Sequence, residues 1–394
     1  MNTLPRLTGR ARWAIPAGAV ALAGALTAGT MISTAQASPE LPARTPAQLL
    51  ASVAGRDAPL PALTGTVVET ASLGLPQLPG SADPSSITAL LAGSHTIKVW
   101  YADPTHLRLA VPVTMSETDL IRNGRQVWVW QSKSNTVTRM QLPAKDDRAP
   151  MHPAAVPSQV PLTPQQAASQ ALKAVGPSTR VSVQRNVTVA GQPAYQLVLS
   201  PKASGSLIGR IAIAIDATKN VALRVQVFAK GAASPAFQIG YTSISFVKPA
   251  AANFSFTTPA GAKVKVVSPR PDTSGPMSAK DKKASGEPQV IGKDWLSVAV
   301  LPASALAGVT GGGDASSVAG QAAQSAAGSP AGGGGEDAAV AAALLKTATP
   351  VHGAWGSGKL LHTSLVSVLM TSDGHVLVGA VTPAVLESAA AQIK

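Results

Sequence analysis

Few residue patterns in this chain have the spacing that chemistry needs. Gly353-Ala354-Trp355-Gly356-Ser357-Gly358-Lys359 fits the first seven places of a phosphate-binding loop. The eighth place calls for Ser or Thr, whose hydroxyl ligates magnesium, and here it is Leu360. Such a loop also links a strand to a helix, whereas this one leads into a strand-like run, so a Gly-rich turn is the better reading. The histidines at 95, 106, 152, 352, 362 and 375 are scattered, none has helical ligand spacing, and there is no H-E-x-x-H. His352 and His362 could meet in space, but surface positions are the simpler reading. No G-x-S-x-G nucleophile elbow occurs. Asp103 and Asp119 sit near strand ends, and a turn at Asp103-Pro104 explains the first. Asn186-Val187-Thr188 and Asn253-Phe254-Ser255 are glycosylation sequons, relevant only in a host that glycosylates. The absence of cysteine removes disulfides, thiolate chemistry, iron–sulfur clusters, Cys-ligated zinc and a lipid anchor on an N-terminal Cys. These patterns predict no catalytic residues, no cofactor, no metal and no enzyme activity.

The elements behind them read as strands. Thr96 to Pro143 alternates short β-rich runs with turn signals at Asp103-Pro104, Asn123-Gly124 and Ser134-Asn135. It predicts an antiparallel meander of about five strands. A β-rich run over 63–71 precedes it, and further runs over 180–189, 194–199, 207–216, 221–230, 237–247 and 254–256 follow. About ten or eleven strands therefore share about two helices. The helices start alike, with Thr45-Pro46 and Thr163-Pro164, where Thr caps and Pro takes the first helical place. A third short helix is read over 85–92. The fold class is mainly β (α+β), a large curled antiparallel sheet or unclosed barrel under a helical lid. A small C-terminal β-α-β-β-α unit is read from a strand at 294–300, a helix at 336–346, a hairpin about Ser372-Asp373-Gly374 and a helix at 384–391.

Composition sets the compartment. At 394 residues with 45% hydrophobic but only 4% aromatic residues, a sizeable core must be filled by Ala, Val, Leu and Ile. The formal charge of +13 favours anionic partners. Arg6, Arg10 and Arg12, the apolar run 13–31 and Ala35-Gln36-Ala37 read as a secretory signal peptide over 1–37, cleaved near Ala37. An uncleaved anchor is the competing reading, weakened by Pro16. An exported chain, in the envelope or secreted, does not meet nucleic acid, so the charge points to an anionic membrane surface or the wall. The remaining organisation is a β domain over 38–267, a polar linker over 268–288 and a small α+β domain over 289–394. Within the last, a Gly/Ala/Ser-rich insert of about 307–335 is expected to be disordered.

A wide sheet with thin helical cover presents one apolar face. In the first half its candidate residues are Val99, Leu107, Leu109, Val111, Trp128, Trp130 and Met140. In the second half they are Tyr195, Leu197, Leu199, Ile211, Ile213, Ile215, Val225 and Val227. Leu49, Leu50, Val53, Leu172 and Val175 form the apolar sides of the covering helices. This face is either a filled core or the lining of a ligand cavity; composition alone favours the core.

Four segments carry a resemblance. They are W-Y-A-D-P-T-H-L-R-L (100–109), D-L-I-R-N-G-R-Q-V-W-V-W (119–130), I-D-A-T-K-N-V-A-L-R-V-Q-V (215–227) and Y-T-S-I-S-F (241–246). They resemble actinobacterial proteins of the LolA type, whose superfamily includes the N-terminal domain of RseB. The likeness covers about 45–267, and L-L-H-T-S-L-V-S-V-L-M-T-S-D-G-H-V-L-V-G-A-V resembles the tail that accompanies this subgroup. It implies an unclosed β-barrel with a helical lid over a hydrophobic cavity, and so lifts the hollow reading. It also implies a carrier of lipid or lipoprotein acyl chains, or an RseB-like sensor that binds lipid and regulates a membrane protein. LolA itself is one small domain; this chain adds about 130 residues, and a single-membrane host has no outer membrane to deliver to.

Overall fold

The computed structural model describes residues 38–54, 60–74, 92–113, 115–142, 163–173, 175–267, 289–302 and 347–393. The signal-peptide pattern lies outside them. So do the polar linker at 268–288, the Gly-rich insert, the helix at 336–346 and nearly all of the one at 85–92. Pro39–Lys394 forms one compact unit.

One twelve-stranded sheet dominates. β1 (Leu63–Ser72) is followed by the meander β2 (Ala92–Asp103), β3 (His106–Val113), β4 (Ser116–Asn123), β5 (Gln126–Gln131) and β6 (Thr136–Gln141). A second meander comprises β7 (Thr179–Val189), β8 (Gln192–Pro201), β9 (Ile208–Asp216), β10 (Ala222–Ala229) and β11 (Phe237–Ser245). The spatial order is β12-β6-β5-β4-β3-β2-β1-β11-β10-β9-β8-β7. β1 therefore joins two locally connected meanders, and β2 begins where a helix was expected to end. Edge strand β7 also packs against β11, with three strands between them in the order, because the sheet curls without closing.

Turn chemistry fixes the register. In the β4–β5 hairpin Asn123 pairs with Gln126, so the turn is Gly124-Arg125 and only Gly124 has positive φ, 60°. The expected Asn-Gly centre is thus displaced by one residue, with Gly at the first central position. The β7–β8 turn, Ala190-Gly191, has φ of 49° and 77°, the primed geometry that suits strand twist.

The run at 254–256, read as a strand, is instead the last residue of a 3-10 turn, Ala251–Phe254, and irregular chain after it. The segment after β11 crosses the outer face, where Phe254 meets His106 edge-on at 5.6 Å and Phe256 lies 6.0 Å from Trp128. It ends as β12 (Lys263–Val267), parallel to β6, the one strand of this sheet that sequence reading missed.

Two helices lie on the inner face, α1 (Pro46–Ala54) and α2 (Pro164–Lys173). Both begin with a reciprocal capping box. Gln48 N donates to Thr45 Oγ1 (3.2 Å) while Thr45 N donates to Gln48 Oε1 (2.8 Å). Thr163 and Gln166 repeat the pattern at 2.8 and 3.3 Å. The helices pack on each other, α1 against β7 and α2 against β10 and β11.

The C-terminal unit is a six-stranded sheet, ordered β13-β14-β18-β17-β16-β15. Its strands are β13 (Gln289–Ile291), β14 (Val298–Pro302), β15 (Thr349–Gly353), β16 (Gly356–His362), β17 (Ser367–Thr371) and β18 (His375–Gly379). Helix α3 (Pro383–Ala390) packs on β17 and β18. The sheet has three more strands than the β-α-β-β-α reading allowed: β13 and β15 are short edge strands, and the first strand of the expected hairpin is two, β16 and β17. Residues 294–296, read as part of a strand, form a 3-10 turn that starts from Asp294 at positive φ, 53°. That turn drives Trp295 into the core of the large sheet, where its Nε1–H donates to Thr179 Oγ1 at 2.7 Å. Leu365 packs with Leu73 and Ala236 at a second junction, and Ser206 bridges to Val381 at a third.

Candidate binding face

The motifs that suggested chemistry dissolve on inspection. The phosphate-loop look-alike is the β15–β16 hairpin, in which Gly353 pairs with Gly356 across Ala354-Trp355. Gly358 is there because a Cβ would collide with the Met370 carbonyl of β17. His352 pairs opposite Ser357 near the start of β16, and His362 stands at its far end, so the two do not meet. His106 Nδ1 lies 2.9 Å from Asp103. Burial pushes the Asp103 carboxyl up, but hydrogen bonds from Thr105 and His106 outweigh it and leave the group below the usual range. Asn186 Nδ2 donates to Pro39 O (3.1 Å), a contact that a glycan would break. Among the described residues no three metal-ligating side chains come together.

The concave face is where the sequence-predicted site residues gather. Val99, Leu109, Val111, Tyr195, Leu197, Leu199, Ile211, Ile213, Ile215 and Val225 belong to one buried cluster, with Leu107, Met140 and Val227 packed at its margin. Leu49 and Val53 of α1 enter the cluster, while Leu50, Leu172 and Val175 pack beside it. Val175 does so from just beyond the end of α2. Cross-strand rows explain the continuity. One row runs Leu197–Ile213–Val225–Ile239 over β8 to β11. Another runs Val99–Leu109–Leu120–Val129 over β2 to β5. Side chains directly opposite in neighbouring strands share a face, so each row is an apolar stripe across the sheet.

Trp128 and Trp130 lie elsewhere. Val127 and Val129 of β5 are in the inner cluster, and strand alternation puts the two tryptophans on the convex face. Tyr195 is inside, but its hydroxyl is engaged: it donates to Pro42 O at 2.8 Å, and Arg44 stacks over its ring at 4.9 Å. These contacts fasten the segment leading into α1.

Four polar residues share the concave face and were not foreseen. Glu69 of β1 pairs directly with His95 of β2 and with Ile239 of β11, which extends the first apolar row into a buried carboxyl–imidazole pair. Burial raises the Glu69 carboxyl, and His95 partly offsets this. Arg122 lies between Leu107 and Val127, is only 1% exposed, and donates from Nε to Gly124 O at 3.0 Å. Tyr241 is buried and its phenol is pushed well up by burial. Gly65 makes room for it: a Cβ there would stand 2.8 Å from the Tyr241 ring. For Glu69, His95 and Arg122 an ionisable residue inside a β-run was the only sequence signal, and Tyr241 offered none.

The chain matches no family model and no curated protein. Solved structures do resemble it. The Pseudomonas aeruginosa MucA/MucB complex aligns at 15% identity over 87% of this chain and 94% of that one, with a TM-score of 0.38. MucB in complex with MucA(peri) aligns at 14% identity over 88% and 96%, TM-score 0.39. A LolA superfamily protein from Nitrosomonas europaea aligns at 9% identity over 54% and 99%, TM-score 0.22. The open curled sheet with two helices on its inner face is the architecture that the sequence resemblance implies. These overlaps are loose, all with TM-scores below 0.5.

Proposed function

We propose that this protein is an exported binder of lipid or lipoprotein acyl chains, a carrier or chaperone of the cell envelope and not an enzyme. The observation that carries this reading is the continuous apolar concave face under two short helices. Burying acyl chain there would contribute about 0.8 kcal/mol for each CH₂ removed from water. Helices α1 and α2 touch each other and the second meander, so a lid movement would lift Leu49 and Val53 off the sheet. The basic balance of the chain suits an anionic membrane surface. Among the described residues no helix is long and apolar enough to cross a membrane.

A specific contact favours a second reading, a sensor that regulates a membrane protein through its C-terminal unit. Trp295 enters the same buried cluster that lines the concave face, so ligand packing and the docking of that unit share side chains.

Native mass spectrometry of the chain from Ser38, with lipid extraction, tests both readings. Co-purified acyl lipid near one-to-one supports the binding face. Transfer of that lipid to acceptor vesicles selects the carrier; retention, with altered docking of the C-terminal unit, selects the sensor. A protein that stays empty and excludes acyl-chain probes has a filled core, and both readings fall.

A further inference from the structure

We propose that β12, the free edge of the large sheet, is a docking site for an extended acidic segment of a partner protein, which adds to it as a further strand. Parallel pairing decides which backbone groups are free. Lys263 N donates to Asn135 O at 2.8 Å, and Lys263, Lys265 and Val267 stand opposite Thr136, Thr138 and Met140 of β6. Those three residues direct their backbone groups at β6. Backbone groups alternate sides along a strand, so Val264 and Val266 turn both N–H and both C=O groups outward. β12 is last in the sheet order, and among the described residues no strand lies beyond it. A peptide laid along this edge meets a ready ladder.

The side chains say what that peptide must carry. All of β12 is exposed. Among the described residues six large hydrophobic side chains are exposed, and Val264, Val266 and Val267 of this one short strand are three of them. Val264 is 51% and Val266 76% exposed. Val264 pairs with Val137, which pairs with Trp130, so Val264 and Val266 continue the convex face. Lys265 pairs with Thr138, which pairs with Val129, so Lys263 and Lys265 lie on the concave side. β5, β6 and β12 together carry Arg139, Lys263 and Lys265 and no acidic residue. A segment that alternates acidic and apolar residues matches both sides at once. Its carboxylates stand opposite Lys263 and Lys265, and its aliphatic groups opposite Val264 and Val266.

The same pattern disfavours two other occupants. Two copies of this chain joined here with Val264 opposite Val266 would set each Lys265 against its counterpart, and like charges directly opposite are destabilising. An anionic membrane would have to take up valines and lysines from one side, whereas strand alternation points them to opposite faces. Edge lysines ordinarily deter strand addition; carboxylates on the partner turn them into the selective contact. The proposal needs no ligand on the concave face.

The test is fluorescence anisotropy of the full chain with two labelled peptides, one alternating Glu and Val, the other Lys and Val. Phosphatidylglycerol vesicles serve as the membrane probe. The Glu–Val peptide is expected to bind and the Lys–Val peptide not. Amide exchange at Val264 and Val266 is fast in the free chain and slows on binding, while that at Lys265, directed at β6, changes little. Lys263→Glu combined with Lys265→Glu weakens binding about tenfold or more and transfers preference to the Lys–Val peptide. Val266→Pro removes an outward N–H without breaking a bond to β6 and weakens binding about tenfold. Unchanged circular dichroism shows that the sheet of each variant is intact. Binding of neither peptide, equal binding of both, or binding that survives these substitutions overturns the proposal. So does exchange at Val264 and Val266 that is already slow in the free chain, or that is slowed by self-association or by the vesicles in place of the Glu–Val peptide.

Discussion

The two faces of β2–β5 are built from alternate residues of the same strands, and they differ in kind. Inward stand Val99, Leu109, Leu120, Val127 and Val129, aliphatic and continuous with the second meander. Outward stand Trp100, Arg108, Asp119, Trp128 and Trp130, aromatic and charged, partly covered by Phe254 and Phe256. Within β2–β5 this places the tryptophans outside, while the aromatic rings of the inner cluster, Tyr195, Tyr241 and Trp295, come from other parts of the chain. A deformable aliphatic surface suits a ligand of variable shape.

Substitutions break or sharpen this contrast. Trp295→Ala is expected to have the largest effect, about 3–5 kcal/mol, because it empties the inner cluster and unfastens the C-terminal unit. Two separate calorimetric transitions would show that unfastening; a single transition of unchanged midpoint would refute it. Leu120→Ala should cost about 2–5 kcal/mol in urea unfolding. Its neighbour Ile121 is 1% exposed on the other face. A similar loss for Ile121→Ala would show that the Phe254 segment makes a true second core.

The pH dependence is a finer probe of the convex face. Burial lifts the Asp119 carboxyl to about 6; the Arg108 charge opposes this and Glu117 adds to it. The folded protein therefore holds this proton more tightly than the unfolded chain. Ionisation costs stability as pH rises from about 4 through 6, and the cost is relieved on acidification. The stability difference between wild type and Asp119→Asn should change by on the order of 2 kcal/mol between pH 4 and pH 7. A pH-independent difference would mean that Asp119 is ionised throughout. The smallest effects belong to the caps: Thr45→Ala and Thr163→Ala should each cost about 1 kcal/mol. Thr382→Ala should cost less, since α3 has no side-chain cap bond.

Much of this fold was legible because its signals are local. The Thr-Pro helix starts became capping boxes, and the meander turns fell within a residue of their signals. What was not legible is non-local. Lys263-Val264-Lys265-Val266-Val267 alternates like a strand, but its partner is β6, more than a hundred residues earlier, and Val266 is 76% exposed. Alternation in Gln126–Gln131 reveals two faces without saying which is inner, so the bulkier Trp128 and Trp130 were read inward in place of Val127 and Val129. Glu69 and His95 look like solvent-facing charges until register sets them opposite each other beside Ile239.

The central position of β1 has a consequence for how the molecule assembles. Thr70 pairs with Ser94 on one side and with Gln238 on the other, so the strand meets its first neighbour early in synthesis and its second only after 237–245 has emerged. Until then the nascent chain holds two half-sheets with bare edges at β1 and β10. Union of the halves is a long loop closure, the kind of step that slows folding. A chaperone that shielded β1 until then would act on the seam of the finished sheet.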